Sequence, residues 1–215
     1  INTKVSLAFD WQQNYFRNMK YAVESCPITA FEKKFTCPAV IVSAGPSLKK
    51  ELEKLKTVYQ HAIIISAGSA TPILLKNGVK PHMVVSIDGS PEMYDHLKNT
   101  NYGDIPLCYS PNHHYKITEH HQGQKIVFQS PEVGIIDWYN EIIGFPTGIV
   151  QSGPSVANFC LDIACKLTSG PICFVGQDLG YVGGFSHAEG NTNRVSATDT
   201  KQNLMRIESN DGNEL

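Results

Sequence analysis

A chain of 215 residues is long enough to bury a sizeable core, as one large domain or two small ones. Its formal net charge of -2 gives no overall basic field to recruit nucleic acid or an anionic membrane surface. The longest apolar runs, such as residues 62–67, are far too short to span a bilayer, and no signal or transit segment is visible, so a cytoplasmic protein is expected.

Along the chain, residues 14–25 carry Tyr15, Met19, Ala22 and Val23 at helical spacing, with Phe16 beside them, until Pro27 breaks the pattern. This predicts a leading helical segment within residues 1–36. From Cys37 the character changes. The β-branched run Ala39–Val42 leads into Ser43-Ala44-Gly45-Pro46-Ser47 and an amphipathic stretch with Leu48, Leu52 and Leu55, which reads as strand, tight loop and helix. The unit then repeats. Residues 62–65 lead into Ser66-Ala67-Gly68-Ser69 and a short helix ending near Asn77-Gly78; residues 82–87 lead into Asp88-Gly89-Ser90-Pro91 and another. Further strands are expected at 105–109, 125–129 and Ile172–Val175, with a helix over Val156–Leu167.

Continuously apolar strands alternating with helices predict an α/β, Rossmann-like, mostly parallel sheet covered by helices on both faces, with one main domain over residues 37–190. The polar stretch 190–201 reads as a mobile loop or lid. Asn210-Asp211-Gly212 is a hairpin-type turn signal that normally precedes another strand. With a first residue other than methionine, it suggests a piece of a longer protein, residues 191–215 being a polar loop and the start of a further strand. The six cysteines include no Cys-x-x-Cys pair and read as small buried hydrophobes in a reducing compartment.

Gly and Ser gather just after the strands, where open α/β sheets bind ligands. Gly45, Pro46 and Ser47 open a helix whose exposed N–H groups and dipole favour a phosphate or carboxylate, although a cap without a ligand has the same signature. Ser152-Gly153-Pro154-Ser155 nearly duplicates that loop at the start of the later helix. Asp88, ending an apolar strand, could accept ribose hydroxyls or hold a metal, or could cap the following turn. Gly176-Gln177-Asp178-Leu179-Gly180-Tyr181, with His187 close behind, places a carboxylate, a phenol and an imidazole on one glycine-rich loop. An imidazole there could take a proton from a hydroxyl nucleophile. His113-His114 and His120-His121 have no carboxylate or cysteine at metal-site spacing and read as exposed loop and helix-end residues, so no metal site is assigned. Neither Gly-x-Gly-x-x-Gly nor the P-loop pattern occurs, which disfavours ordinary dinucleotide binding and P-loop hydrolysis.

The ordered set 42–48, Ser86-Ile87-Asp88, Ser152-Gly153-Pro154-Ser155 and 176–190 resembles the DUF115 family. That family includes bacterial motility accessory factors and an archaeal 6-hydroxymethylpterin diphosphokinase, the MptE-like branch. Motility accessory factors are regarded as glycosyltransferases that attach pseudaminic or legionaminic acid to flagellin, with a core similar to bacterial sialyltransferases that use CMP-sugars. The resemblance implies a nucleotide-sugar donor, a flagellin acceptor and no required cofactor. It places Gly45, Pro46 and Ser47 at the nucleotide and Ser152, Gly153 and Ser155 at its ribose or phosphate, with His187 and Tyr181 at the chemistry; Ser66, Gly68, Asp88 and Gln177, on the same sheet edge, are further nucleotide-binding candidates and Asp178 a further catalytic one. His187 would be the base and Tyr181 would contact the leaving phosphate. The alternative within the family is a diphosphokinase using magnesium held by carboxylates such as Asp88 and Asp178. A non-catalytic nucleotide-binding or flagellar scaffold is the third reading.

Overall fold

A computed structural model describes residues 7–131, 135–151, 153 and 155–199. The first described element is α1 (Ala8–Val23), followed by β1 (Cys26–Pro27) and a 3-10 turn at Ile28–Phe31. Next come β2 (Ala39–Val42), α2 (Leu48–Val58), β3 (Ile63–Ala67), a second 3-10 turn at Gly68–Ala70, α3 (Thr71–Lys76), β4 (Met83–Ser86) and α4 (Pro91–Leu97). The remainder is β5 (Leu107–Tyr109), α5 (Tyr115–His120), β6 (Lys125–Val127), α6 (Ile136–Ile143), α7 (Val156–Leu167) and β7 (Ile172–Val175).

The seven strands among the described residues form one parallel sheet in the order β1-β6-β5-β4-β3-β2-β7. Strands β2 to β6 are largely buried on both faces, and alternation divides their side chains between the cores on the two sides. Ala39 and Ile41 of β2 pack with Phe159, Ile163 and Leu167 of α7, while Val40 and Val42 pack with Leu48, Leu52 and Leu55 of α2. Farther along that second face, Val84, Leu107, Tyr109 and Val127 meet Tyr15 and Ala22 of α1 and Tyr139 of α6. This is a Rossmann-like α/β fold, with α7 lying across β2, β3 and β4 on one face and α1, α2, α3 and α6 on the other.

Residues before Cys37 belong to the same body, because β1 pairs with β6 and α1 is fixed by buried polar side chains. Asn14 Nδ2 donates to the carbonyls of Gly89 and Asn112, and Asn18 Nδ2 to those of Pro111 and His113. These carbonyls lie in the loops after β4 and β5, so the helix spans loop groups that would otherwise be buried without partners. The six cysteines are free; Cys108 and Cys160 are buried, whereas Cys165 and Cys173 are exposed. The last of these is on β7, which among the described residues is an edge strand of the sheet. Among the described residues, no helix is long and apolar enough to cross a membrane.

The connections decide where a ligand can enter. From β2 the chain steps in one direction through β3, β4, β5 and β6. It then returns through α7 to place β7 on the opposite side of β2. Strand β2 leads on toward β3, whereas β7 is reached by the return through α7, and the carboxyl ends of these two adjacent strands flank a crevice.

Candidate active site

A cavity of about 410 Å³ occupies that crevice. Its floor is the junction of the loops after β2 and β7. The parallel pairing continues past the strands, with Ser43 N donating to Val175 O at 2.9 Å and Gly45 N to Gly176 O at 2.8 Å. Gly176 has φ +69°, and a Cβ there would lie 2.3 Å from the Ser43 carbonyl oxygen. No side chain fits, so glycine is required on both conformational and steric grounds. A Cβ on Gly45 would lie 2.5 Å from both the Gly176 carbonyl oxygen and Asp178 Oδ2. Asp178 Oδ2 in turn accepts the Ser47 N–H at 2.8 Å.

The wall opposite is the start of α7. Ser155 N and Oγ both donate to Asn158 Oδ1 at 3.1 Å, which turns the chain into the first helical turn. The hydroxyl-bearing residues Ser43, Ser69, Ser155 and Ser186 line the cavity with Gln177, Tyr181 and His187.

His187 sits on the loop that covers the sheet edge. Its Nδ1 is 2.9 Å from Ser186 Oγ, which also accepts the Val195 N–H at 3.0 Å. Burial lowers its pKa below the usual histidine value; the Asn193 backbone carbonyl opposes this and neighbouring His96 reinforces it. The loop is tied down on both sides. Ala188 N donates to Ala44 O at 2.8 Å, and Asn191 Nδ2 to Ser69 O at 3.2 Å. His96 of α4 is bonded to Thr192 Oγ1 through Nδ1 and approaches Ser69 O at 3.4 Å through Nε2. A carbonyl can only accept, so Nε2 carries the proton and Nδ1 takes the threonine hydroxyl. The stretch beginning at residue 190, read as a mobile loop or lid, is a hydrogen-bonded cover as far as residue 199.

The structure thus brings together Gly45, Ser155, Gln177, Asp178, Tyr181 and His187 at one cavity. Pro46 and Ser47 stand behind it at the start of α2, Ser47 facing Asp178 through its N–H. Three other candidates lie elsewhere. Ser66 is buried, with its hydroxyl 3.0 Å from Ala67 O and 3.0 Å from Thr71 Oγ1. Gly68 is buried beneath Val85 O and Leu97. Asp88 Oδ1 accepts the Ser90 N–H at 2.8 Å, closing a turn before α4. Gly153 is exposed and packs on Asn158, and Ser152 and Pro154 lie outside the described residues.

Sequence reading missed Ser43, Ser69, Ser186 and His96. The first three adjoin residues it selected, but His96 lies on a different helix and nothing in its local sequence announces it. The paired histidines are also corrected. His113 and His121 are buried, and burial pushes their pKa values down to about 3 and about 4. His113 bonds Ser86 Oγ at 2.9 Å and also Thr118 Oγ1, joining β4 to α5. Among the described residues, no group of three or more His, Cys, Asp or Glu side chains is placed to hold a metal ion.

Residues 13–184 match the family described as 6-hydroxymethylpterin diphosphokinase MptE-like. The chain is also similar to an uncharacterized protein of Treponema pallidum (strain Nichols), 32% identical over 78 residues, which are 36% of this chain and 37% of that protein. Its fold is similar to that of the MAf glycosyltransferase from Magnetospirillum magneticum AMB-1, with a TM-score of 0.69 and 19% identity. That similarity covers 95% of this chain and 31% of the glycosyltransferase. The matched regions span about a third of the length of either relative.

Proposed function

Because this chain belongs to the 6-hydroxymethylpterin diphosphokinase MptE-like family, we propose that its switch-point cavity binds a CMP-activated nonulosonic sugar and that the domain transfers the sugar to a hydroxyl acceptor. The acceptor in this reading is a serine or threonine of flagellin. One observation carries it: Tyr181, His187 and the start of α7 converge on a single cavity whose other polar groups are mostly hydroxyls. The likeness of fold to a glycosyltransferase supports it.

The chemistry follows from these groups. The acceptor oxygen attacks the anomeric carbon, the bond from that carbon to the phosphate oxygen breaks, and CMP departs. His187 takes the acceptor proton through Nε2. For this, Nδ1 must carry the ring proton and donate to Ser186 Oγ, whose second lone pair holds the Val195 N–H. The lowered pKa keeps the ring neutral near pH 7. Tyr181 and the positive end of the α7 dipole, beside Val156 and Ala157, stabilise the charge developing on the leaving phosphate.

The diphosphokinase reading draws support from the family description. It requires carboxylates to hold magnesium, and both candidates accept backbone N–H groups, Asp88 outside the cavity and Asp178 at its floor. A thermal-shift series with CMP, CDP, ATP and GTP, each with and without magnesium, separates the readings. Stabilisation by cytidine nucleotides without magnesium is expected. Preference for ATP or GTP with magnesium would transfer the assignment to diphosphate transfer, and no response to any would leave a non-catalytic module.

A further inference from the structure

The carboxylate of Asp178 stands where the first turn of α2 would otherwise receive a ligand anion. That helix is 11 residues long, and the Ser47 N–H at its start points to Asp178 Oδ2 at 2.8 Å. Amide groups at a helix start concentrate positive partial charge and favour an anion. Here the protein supplies its own. The fit is close, since even a methyl group on Gly45 would come within 2.5 Å of that oxygen.

The backbone around Asp178 is bent to reach this position. Gly176 before it has φ +69°, and Leu179 after it has φ +56°. A leucine rarely adopts the left-handed region, and Leu179 is also 87% exposed, so its own burial does not hold it there. The bonds from Gly45 to Gly176 and from Ser47 to Asp178 fix the segment on either side of Gln177.

We infer that Asp178 is a positioning and specificity-determining residue rather than a catalytic one. Its carboxylate substitutes for a ligand anion at α2, fixes the loop that presents Gln177 and Tyr181, and leaves the α7 side of the cavity, at Ser155, for a ligand phosphate. A second or third phosphate extending toward α2 meets fixed negative charge. Like charges about 4 Å apart disfavour binding roughly fivefold even at the dielectric constant of water. The cavity therefore selects a nucleoside monophosphate group over a polyphosphate. This selection rests on the nucleotide-sugar reading; the anion substitution does not.

The test uses the whole chain and needs no donor sugar. Asp178→Ala should lower Tm by about 2–4 °C, the effect of one lost cap in a chain of this size. Inorganic phosphate should then raise the Tm of the variant more than that of the wild type, by filling the vacated position. Asp178→Asn retains an oxygen for the Ser47 N–H but not the charge, and it carries the test if the alanine variant does not fold. It should keep a wild-type Tm and raise the affinity for CTP relative to CMP at least about fivefold. Equal phosphate responses in the alanine variant and the wild type would overturn the anion substitution. An unchanged CTP-to-CMP ratio in the asparagine variant would overturn the selection. A wild type indifferent to every cytidine nucleotide would sink the donor assignment while leaving the phosphate comparison to decide the role of Asp178.

Discussion

Gly45 and Gly176 meet where the loops after β2 and β7 run side by side, and neither leaves room for a side chain. Gly45→Ala forces a methyl group against a backbone carbonyl that cannot move without breaking the β2–β7 pairing. A loss of about 1–3 kcal/mol is expected, read from urea denaturation midpoints. Gly176→Ala should cost more, because its φ of +69° adds strain to the clash. At His187 the expected effect is on turnover. His187→Ala should lower kcat by about 10²–10⁴-fold while donor affinity changes little, and equal losses in both would reject the base assignment. The pH profile supplies a separate check. A base must be unprotonated, so kcat/KM should be flat near neutrality and fall with acid, with its midpoint below the usual histidine value because burial lowers the pKa of His187. A midpoint at or above the ordinary value would contradict the assignment.

At the scale of elements, α5 shows how the fold uses histidine as a structural side chain. His113 precedes this short helix and His121 follows it, both buried and both held neutral by desolvation. Each has a lower pKa folded than unfolded, so the unfolded chain binds more protons in acid. Stability should be unaffected above about pH 7 and decline as pH falls from about 6.5 toward 4, by up to ~1.4 kcal/mol per pH unit for each histidine. Urea titrations across that window should show a shallower decline in His121→Phe than in the wild type. Parallel curves would mean that His121 is not the source. Helix α1 follows a similar logic with amides. Its spacing of Tyr15 and Ala22 was legible as an apolar stripe, but Asn14 and Asn18 on the same buried face were not, because their partners are carbonyls about 75 to 98 residues away in sequence.

For the molecule as a whole, the strand order places the cavity. Both loops that form its floor follow apolar strands, yet β2 and β7 are about 130 residues apart and become neighbours only because α7 carries the chain back across the sheet. The expected response to a true ligand is also a property of the whole fold. A cytidine nucleotide at about a hundred times its dissociation constant should stabilise by roughly 2.7 kcal/mol, or about 5–11 °C in Tm for a chain of this size. A comparable shift with magnesium-ATP, and none with CMP, would favour the diphosphate-transfer reading instead.

The sequence by itself determined the fold class and the positions of several elements. Short apolar runs mark the parallel strands Ala39–Val42 and Ile172–Val175, and helical periodicity marks Val156–Leu167, each where its pattern puts it. It also located the loops that line the cavity, because glycines and small hydroxyl residues gather where backbones approach closely. Only the tertiary structure decided which of those loops share a site. Ser66, Gly68 and Asp88 have the same local chemistry as Gly45 and Ser155, but their strands point them into the core or into a turn. Asp178, His96 and Ser69 acquire their contacts across long chain separations. Local propensity records the shape of each segment, whereas the meeting of distant segments depends on how the whole sheet buries both of its faces.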